Sequence, residues 1–339
     1  MPAHNNQIII TPQAMQRRFT AILEKVGFTN ERAIKCGAIF TANSVDGIYT
    51  HGVNRFPVFV QYVKDGYVQP QAIPTLHHKF GGVEQWDGNA GPGTLNAVHA
   101  TETAMKLADQ HGIGCVTLRN TNHWMRGGAY GWQAAKKGYV FIAFTNTIGI
   151  MPAWGALDAR LGNNPFVMAL PYKDEAIVLD MAMSQYSYGA LELAVLKNEH
   201  LDVPGGYNKQ GVLTNDPAEI IASRRPLPVG YWKGAGLTLL LDILAAVLSG
   251  GNAGHEITKQ GVEKNISQVF IAISISRLSN HSVITKTVEA IIDDYHQSVA
   301  ADDTKKIIYP GERVLQNRKN NLADGIPVLK KVWDKIMAL

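Results

Sequence analysis

Gly230-Tyr231-Trp232-Lys233-Gly234-Ala235-Gly236-Leu237-Thr238-Leu239 opens the most apolar stretch of the chain, and its reading bears directly on the fold. A glycine-rich loop ahead of a helix leaves free N–H groups and a favourable dipole for phosphate. Lys233 adds a positive charge there. The dinucleotide fingerprint G-x-G-x-x-G is nevertheless incomplete, because Leu239 stands where the third glycine belongs. A plain helix start fits the loop equally well, and no Walker P-loop occurs elsewhere. The run that follows, residues 237–248, is broken only by Thr238 and Asp242. A bilayer takes about 20 apolar residues, so the run is expected to be a buried helix, stopped by Gly250-Gly251, and not a membrane span.

Outward from this run the texture is mixed. Residues 74–86, 116–118, 140–145, 166–170, 177–179 and 269–275 read as strands, several of them continuous in apolar residues and therefore buried. Helices are expected over 97–111 and 133–137. Both ends of the chain look helical. Thr11 caps a first helix with Pro12 at its first position, followed by Met15, Phe19, Ile22, Leu23 and Val26 at helical spacing. Thr29 or Asn30 opens a second, and Asp46-Gly47 turns the chain into a third, where Pro57 marks a kink or a late start. Amphipathic helices are expected over 283–299 and 327–337. The simplest packing joins the two ends, residues 8–72 and 258–339, into one helical domain, with an α/β domain inserted over 73–257.

Composition agrees with a packed protein of this size. The 339 residues are 46% hydrophobic and 18% charged, too apolar for a disordered chain. Lys and Arg exceed Asp and Glu by 32 − 28 = 4, with no concentrated basic stripe, so no nucleic-acid partner is expected. A weak positive surplus still favours a small anionic substrate. Cys36 and Cys115 form no Cys-x-x-Cys pair, which excludes zinc ribbons and dithiol redox motifs and suits a reducing cytoplasm. The opening residues 1–7 are polar, with no signal-peptide pattern. The histidines lack metal-ligand spacing, and no metal is expected.

Three further segments could carry chemistry. In Thr50-His51-Gly52-Val53-Asn54-Arg55, a cap at Thr50 would put His51 in the first helical turn and Arg55 on the same face four residues on. Histidine exchanges protons near neutrality, and an arginine fork suits a carboxylate. That pairing is what reduction of a keto acid requires, although a partly exposed His beside a solvated Arg has the same spacing. Asn122-His123-Trp124-Met125-Arg126-Gly127-Gly128 follows a strand and reads either as a ligand-facing loop or as a glycine turn with a satisfied histidine. Asp180 ends an apolar strand, where it could hold a ribose hydroxyl, orient a histidine or cap a turn.

These segments, with Gly162-Asn163-Asn164-Pro165, Asp180-Met181-Ala182-Met183-Ser184, Gly230-Tyr231-Trp232-Lys233-Gly234 and Pro310-Gly311-Glu312, fall in the order seen in the type-2 malate/L-lactate/ureidoglycolate dehydrogenases. The resemblance covers nearly the whole chain. It implies an α+β, non-Rossmann fold like that of L-sulfolactate dehydrogenase: a discontinuous helical domain plus an α/β domain on a mixed, largely antiparallel sheet. It implies a homodimer with a nicotinamide cofactor, NADH or NADPH, near the subunit interface. The family's acid/base histidine falls on His51. Its cofactor contacts fall on Ala176, Ile177, Val178, Leu179, Asp180, Met181 and Ala182, on Trp232 and Lys233, and on Gly311, Glu312 and Arg313. Thr50 replaces the family's usual Ser, and Asn163 its usual Thr.

The expected reaction is hydride transfer to the C2 carbonyl of an open-chain 2,3-dioxo sugar acid, with His51 as acid/base, Arg55 on the carboxylate and His123 on a second oxygen. Another family reaction, on malate, lactate, ureidoglycolate or a cyclic imino acid, is the nearest alternative. A non-catalytic binding protein that kept the fold is the alternative of a different class.

Overall fold

The computed structural model describes residues 7–302 and 306–339. The opening residues 1–6 lie outside them.

Helices α1 (Pro12–Lys25), α2 (Asn30–Val45) and α3 (Phe56–Lys64) form the first body. Thr11 caps α1 as its spacing requires, accepting the N–H of Ala14 at 3.2 Å. The apolar stripes of the three helices meet in an aromatic core, where Phe19 stacks on Phe56 at 3.9 Å and Phe40 meets Phe56 edge-on at 5.2 Å. The two chain ends join here through a short antiparallel pair, β1 (Gln7–Ile10) with a late strand Ile326–Leu329, whose Ile326 and Val328 enter the same core. Residues 327–337 were expected to be wholly helical. The segment begins instead as that strand, because Ile326 and Val328 alternate onto the buried face, and only Lys330–Met337 is helical.

The second body is a seven-stranded sheet. In chain order come β2 (Thr75–Phe80), β3 (Val83–Asp87), helix α4 (Gly93–His111), β4 (Ile113–Thr121), helix α5 (Gly127–Ala135) and β5 (Tyr139–Thr145). A small pair, β6 (Met151–Pro152) and β7 (Ala159–Leu161), precedes β8 (Phe166–Tyr172) and β9 (Glu175–Met181). Helix α6 (Tyr188–Lys197), the pair β10 (Gly206–Tyr207) and β11 (Leu213–Thr214), and helix α7 (Pro217–Ser223) lead to α8 (Trp232–Ser249). Then follow α9 (Gly254–Lys259), β12 (Ile266–Ser274), α10 (His281–His296), α11 (Glu312–Asp324), the terminal strand β13 (Ile326–Leu329) and α12 (Lys330–Met337). The strand order is β2-β3-β4-β12-β5-β8-β9. Only β3 and β4 run parallel, so the sheet is mixed and largely antiparallel.

The 258–339 segment does not belong wholly to the helical body. Strand β12 pairs with β4 on one side and β5 on the other, at the centre of the large sheet. Its apolar run, residues 269–273, is buried on both faces, Phe270 and Ala272 beneath α4 and α5, Val269 against α8.

Helix α8 also departs from the expectation of full burial. Leu241 and Ala245 pack on the sheet, but Leu237, Leu240, Ile243, Leu244 and Val247 are exposed, Val247 to 69%. It is the one helix among the described residues long and apolar enough to cross a membrane by length and composition.

Candidate active site

Three neighbouring strand ends, the finish of β4 and β5 and the start of β12, point at the helical body where α2 turns into α3. That turn is not the capped helix the spacing predicts. Tyr49–His51 is one turn of 3-10 helix, and α3 begins only at Phe56, with Arg55 as its cap residue and Pro57 in its first turn. Gly52 explains the break. A β-carbon there would collide with the Ser44 hydroxyl and lie 3.0 Å from the Phe40 carbonyl. The close approach lets Ser44 accept the N–H of Val53 at 2.9 Å, while the Asn43 amide donates to the His51 carbonyl at 3.0 Å. His51 is thereby fixed in the cleft between the two bodies. The Thr50 hydroxyl sits 3.2 Å from its Nδ1.

His123 comes from the other side, two residues beyond β4. The rings of His51 and His123 stack at 5.7 Å, 22° from parallel. The N–H of Met125, itself at φ 66°, donates to His123 Nδ1 at 2.9 Å. That bond leaves the ring proton on Nε2, 3.9 Å from Oε1 of Glu263. Burial is the main force on both histidines and disfavours their charged forms. The Arg55 guanidinium adds to it, and His51 is pushed down to about 4 with a further contribution from Arg126. At neutral pH the cluster therefore holds two neutral imidazoles beside a cation: a proton acceptor next to an anion site.

A chain of charges ties this cleft to the edge of the sheet. Arg126, almost fully buried, forms a short ion pair with Asp46 of the helical body and lies 4.0 Å from Asp180. Asp180 accepts the N–H of Gly128 at 2.7 Å. Burial raises its carboxyl and the nearby Arg126 pulls it back. Arg318 holds Asp46 from the other side at 2.7 and 3.0 Å and reaches Glu175 at 3.4 Å.

Strand β9, which carries Ala176, Ile177, Val178, Leu179, Asp180 and Met181, is the outer strand of the sheet. The Val178 N–H points off the sheet and meets the Pro310 carbonyl at 3.0 Å. By the two-residue alternation, the main-chain groups of Ala176 and Asp180 lie on the same open edge. Gly311, at φ 99°, fits against β9 where a β-carbon would come within 3.2 Å of Val178 N. Two of the three expected cofactor segments are therefore adjacent. Within the second of them, Glu312 is engaged by the Tyr309 N–H at 3.0 Å and by His296 at 3.2 Å, and Arg313 is exposed. Trp232 and Lys233 begin α8, joined to the end of β9 by the Val229 N–H bonding the Met183 carbonyl at 2.8 Å. Trp232 is 63% exposed, and the Lys233 ammonium lies 6.0 Å from its ring. Open main-chain groups, an exposed aromatic ring and a nearby cation fit a dinucleotide, which brings hydroxyls, planar rings and phosphates.

Gly162-Asn163-Asn164-Pro165 has a bracing role in the structure: Asn164 accepts from Thr147 N at 2.9 Å and donates to the Thr238 carbonyl at 2.8 Å. Asp46, Arg126 and Glu263 were not singled out from sequence. Arg126 lay inside a quoted motif, but Glu263 stands in none.

The sequence profile described as malate/L-lactate dehydrogenase matches residues 10–337. The chain belongs to that family. It is 42% identical over 331 residues to a 2,3-diketo-L-gulonate reductase of Klebsiella pneumoniae (strain 342), covering 97% of this chain and 99% of the relative. The fold is that of a malate dehydrogenase from Pyrococcus horikoshii OT3, with TM-score 0.89 at 26% identity over 99% of this chain and 95% of that one. A sulfolactate dehydrogenase from Methanocaldococcus jannaschii superposes with TM-score 0.87 at 26% identity, over 97% and 95% of the two chains. The α+β architecture expected from the sequence is thus the family's own. The chain is an oxidoreductase of the CH–OH group, and its family implies a nicotinamide cofactor and a small keto-acid substrate.

Proposed function

We propose that this chain reduces the C2 carbonyl of 2,3-diketo-L-gulonate to 3-keto-L-gulonate, with NADH as the preferred cofactor. The observation that carries the reading is the stacked His51–His123 pair beside Arg55, in a chain 42% identical along its length to a reductase of that name.

Arg55 binds the substrate carboxylate and holds the adjacent carbonyl at His51, a positioning role. The bound carboxylate cancels the Arg55 charge, the second of the forces that disfavour imidazolium after burial, and so eases protonation of His51 as the substrate arrives. Thr50 engages Nδ1 and leaves Nε2 to donate to the developing alkoxide. His123, its Nε2 protonated, donates to the second oxo group. The reduced nicotinamide, when bound, supplies the hydride. Ala176 to Ala182, Trp232 and Lys233, and Gly311 to Arg313 hold that cofactor, with Asp180 on a hydroxyl. In the reverse direction neutral His51 is the base.

The working unit is a homodimer, and the compartment is the cytoplasm. A helix apolar on every side is normally buried all round, whereas here the outer face of α8 is left exposed by the described residues of one chain. A second copy covers it. The test of the reaction is cofactor oxidation with 2,3-diketo-L-gulonate, pyruvate and oxaloacetate, each with NADH and with NADPH. Preference for pyruvate or oxaloacetate would reassign the substrate.

A further inference from the structure

Glu263 lies where the three strand ends converge, just ahead of β12 and opposite His123. Its side chain is only 13% exposed. One oxygen, Oε2, accepts the N–H of Ile148 beyond the end of β5 at 3.2 Å. The other, Oε1, stands 3.9 Å from His123 Nε2 and takes no hydrogen bond from any described residue. Burial pushes the carboxyl up, and Arg55 pulls it down. Oε1 is not sealed off from the cleft, so this acceptor is open to a donor that a ligand brings.

The groups stand in sequence: His51, then His123 at 5.7 Å, then Glu263 at 3.9 Å from His123. A sugar acid presents its oxygens in a sequence too, the reacting carbonyl first, the second oxo group next, and hydroxyls along the tail. Pyruvate presents a methyl group where the second oxygen would be. We infer that Glu263 is a specificity-determining residue that accepts a hydrogen bond from a tail hydroxyl, selecting hydroxyl-bearing 2-oxo acids over those ending in a methyl group. The inference rests on the reading of the substrate as a sugar acid.

The experiment compares wild type, Glu263→Gln and Glu263→Ala on 2,3-diketo-L-gulonate, on 2-ketogluconate and on pyruvate, with the NADH dissociation constant measured alongside. Loss of a hydrogen bond to a charged group corresponds to about a 10- to 100-fold effect. Glu263→Ala should therefore raise KM for the sugar acids about 10- to 100-fold, change KM for pyruvate less than about threefold and leave NADH affinity intact. Glu263→Gln, which keeps a carbonyl acceptor, should recover most of the loss. An equal loss on all substrates, or weakened NADH binding, would mean that Glu263 acts through the fold or through His123, and an unchanged KM would remove it from the site; either overturns the inference while the proposed reaction stands. Selective loss on 2-ketogluconate in an enzyme inactive on 2,3-diketo-L-gulonate would overturn the proposed reaction and support the role of Glu263.

Discussion

Asp46 and Arg126 form a buried ion pair that fastens the helical body to the sheet, with Arg126 near enough to act on His51. Asp46 closes α2 and Arg126 leads into α5, so the pair spans the cleft in which the two histidines meet. Removing one partner of such a pair leaves an uncompensated buried charge, a loss of about 3–5 kcal/mol. Asp46→Ala leaves the buried Arg126 with only Asp180, 4.0 Å away, and Arg318 with only Glu175, and should lower stability by up to about that amount in urea unfolding. A loss under about 1 kcal/mol would show the pair to be worth no more than a surface one.

His51→Gln keeps the size of the side chain and removes the titrating group. Turnover should fall by about 10²–10⁴, the usual contribution of general acid–base catalysis. NADH affinity should be unchanged, since no residue of the open β9 edge is touched. Near-normal turnover at neutral pH would take the proton-transfer role away from His51.

The depressed pKa of His51 fixes the sign of two pH effects. Its folded value, about 4, lies below the ordinary 6.5. Between these values the unfolded chain binds more protons, so stability is complete above 6.5 and declines as pH falls toward 4. Urea midpoints should therefore drop from pH ~7 to pH ~5 by more in wild type than in His51→Gln. In catalysis the same pKa belongs to the free enzyme. The kcat/KM for oxidation of the hydroxy acid should be flat above pH ~5 and fall below it as the base is protonated. Binding of a 2-oxo acid should take up a proton, visible as a buffer-dependent binding enthalpy in calorimetry. A binding enthalpy independent of the buffer would contradict the coupling between Arg55 and His51.

Much of this architecture is legible from local pattern. Thr11-Pro12 and the stripe from Met15 to Leu23 specify α1 because capping and periodicity agree. The strands could be read from continuous apolar runs, but not their neighbours. Nothing local in Ile266–Ser274 shows that it lies between β4 and β5, since pairing is a non-local property. The candidate cluster was legible where chemistry and motif coincide, since His51, Arg55 and His123, proposed from sequence, come together in the structure. It was not legible where a residue matters through its place in space. Glu263 is a single acid ahead of a strand, and only the convergence of three strand ends puts it beside His123. The 3-10 turn at His51 was missed for a similar reason: Gly52 is dictated by Ser44 and Phe40 on another helix.

The apolar run of α8, expected to be buried, leaves one whole side exposed. A helix packed on a sheet needs one apolar face, and α8 satisfies this with Leu241, Ala245 and the buried Thr238. Leu237, Leu240, Leu244 and Val247 recur three and four residues apart on the outward side, so they form a continuous stripe. Contiguous apolar patches of this kind on one chain mark an interface. Leu240 is 56% exposed in the single chain, near the middle of the stripe. Leu240→Glu would place a charge against the apolar partner face and cost little in the isolated subunit. Sedimentation equilibrium should then show a dimer for wild type and a monomer for the variant, with the far-ultraviolet circular dichroism of the two alike. Trp232 and Lys233 open the same helix, so monomerisation should also weaken NADH binding. A variant that remains dimeric would place the subunit interface on another face.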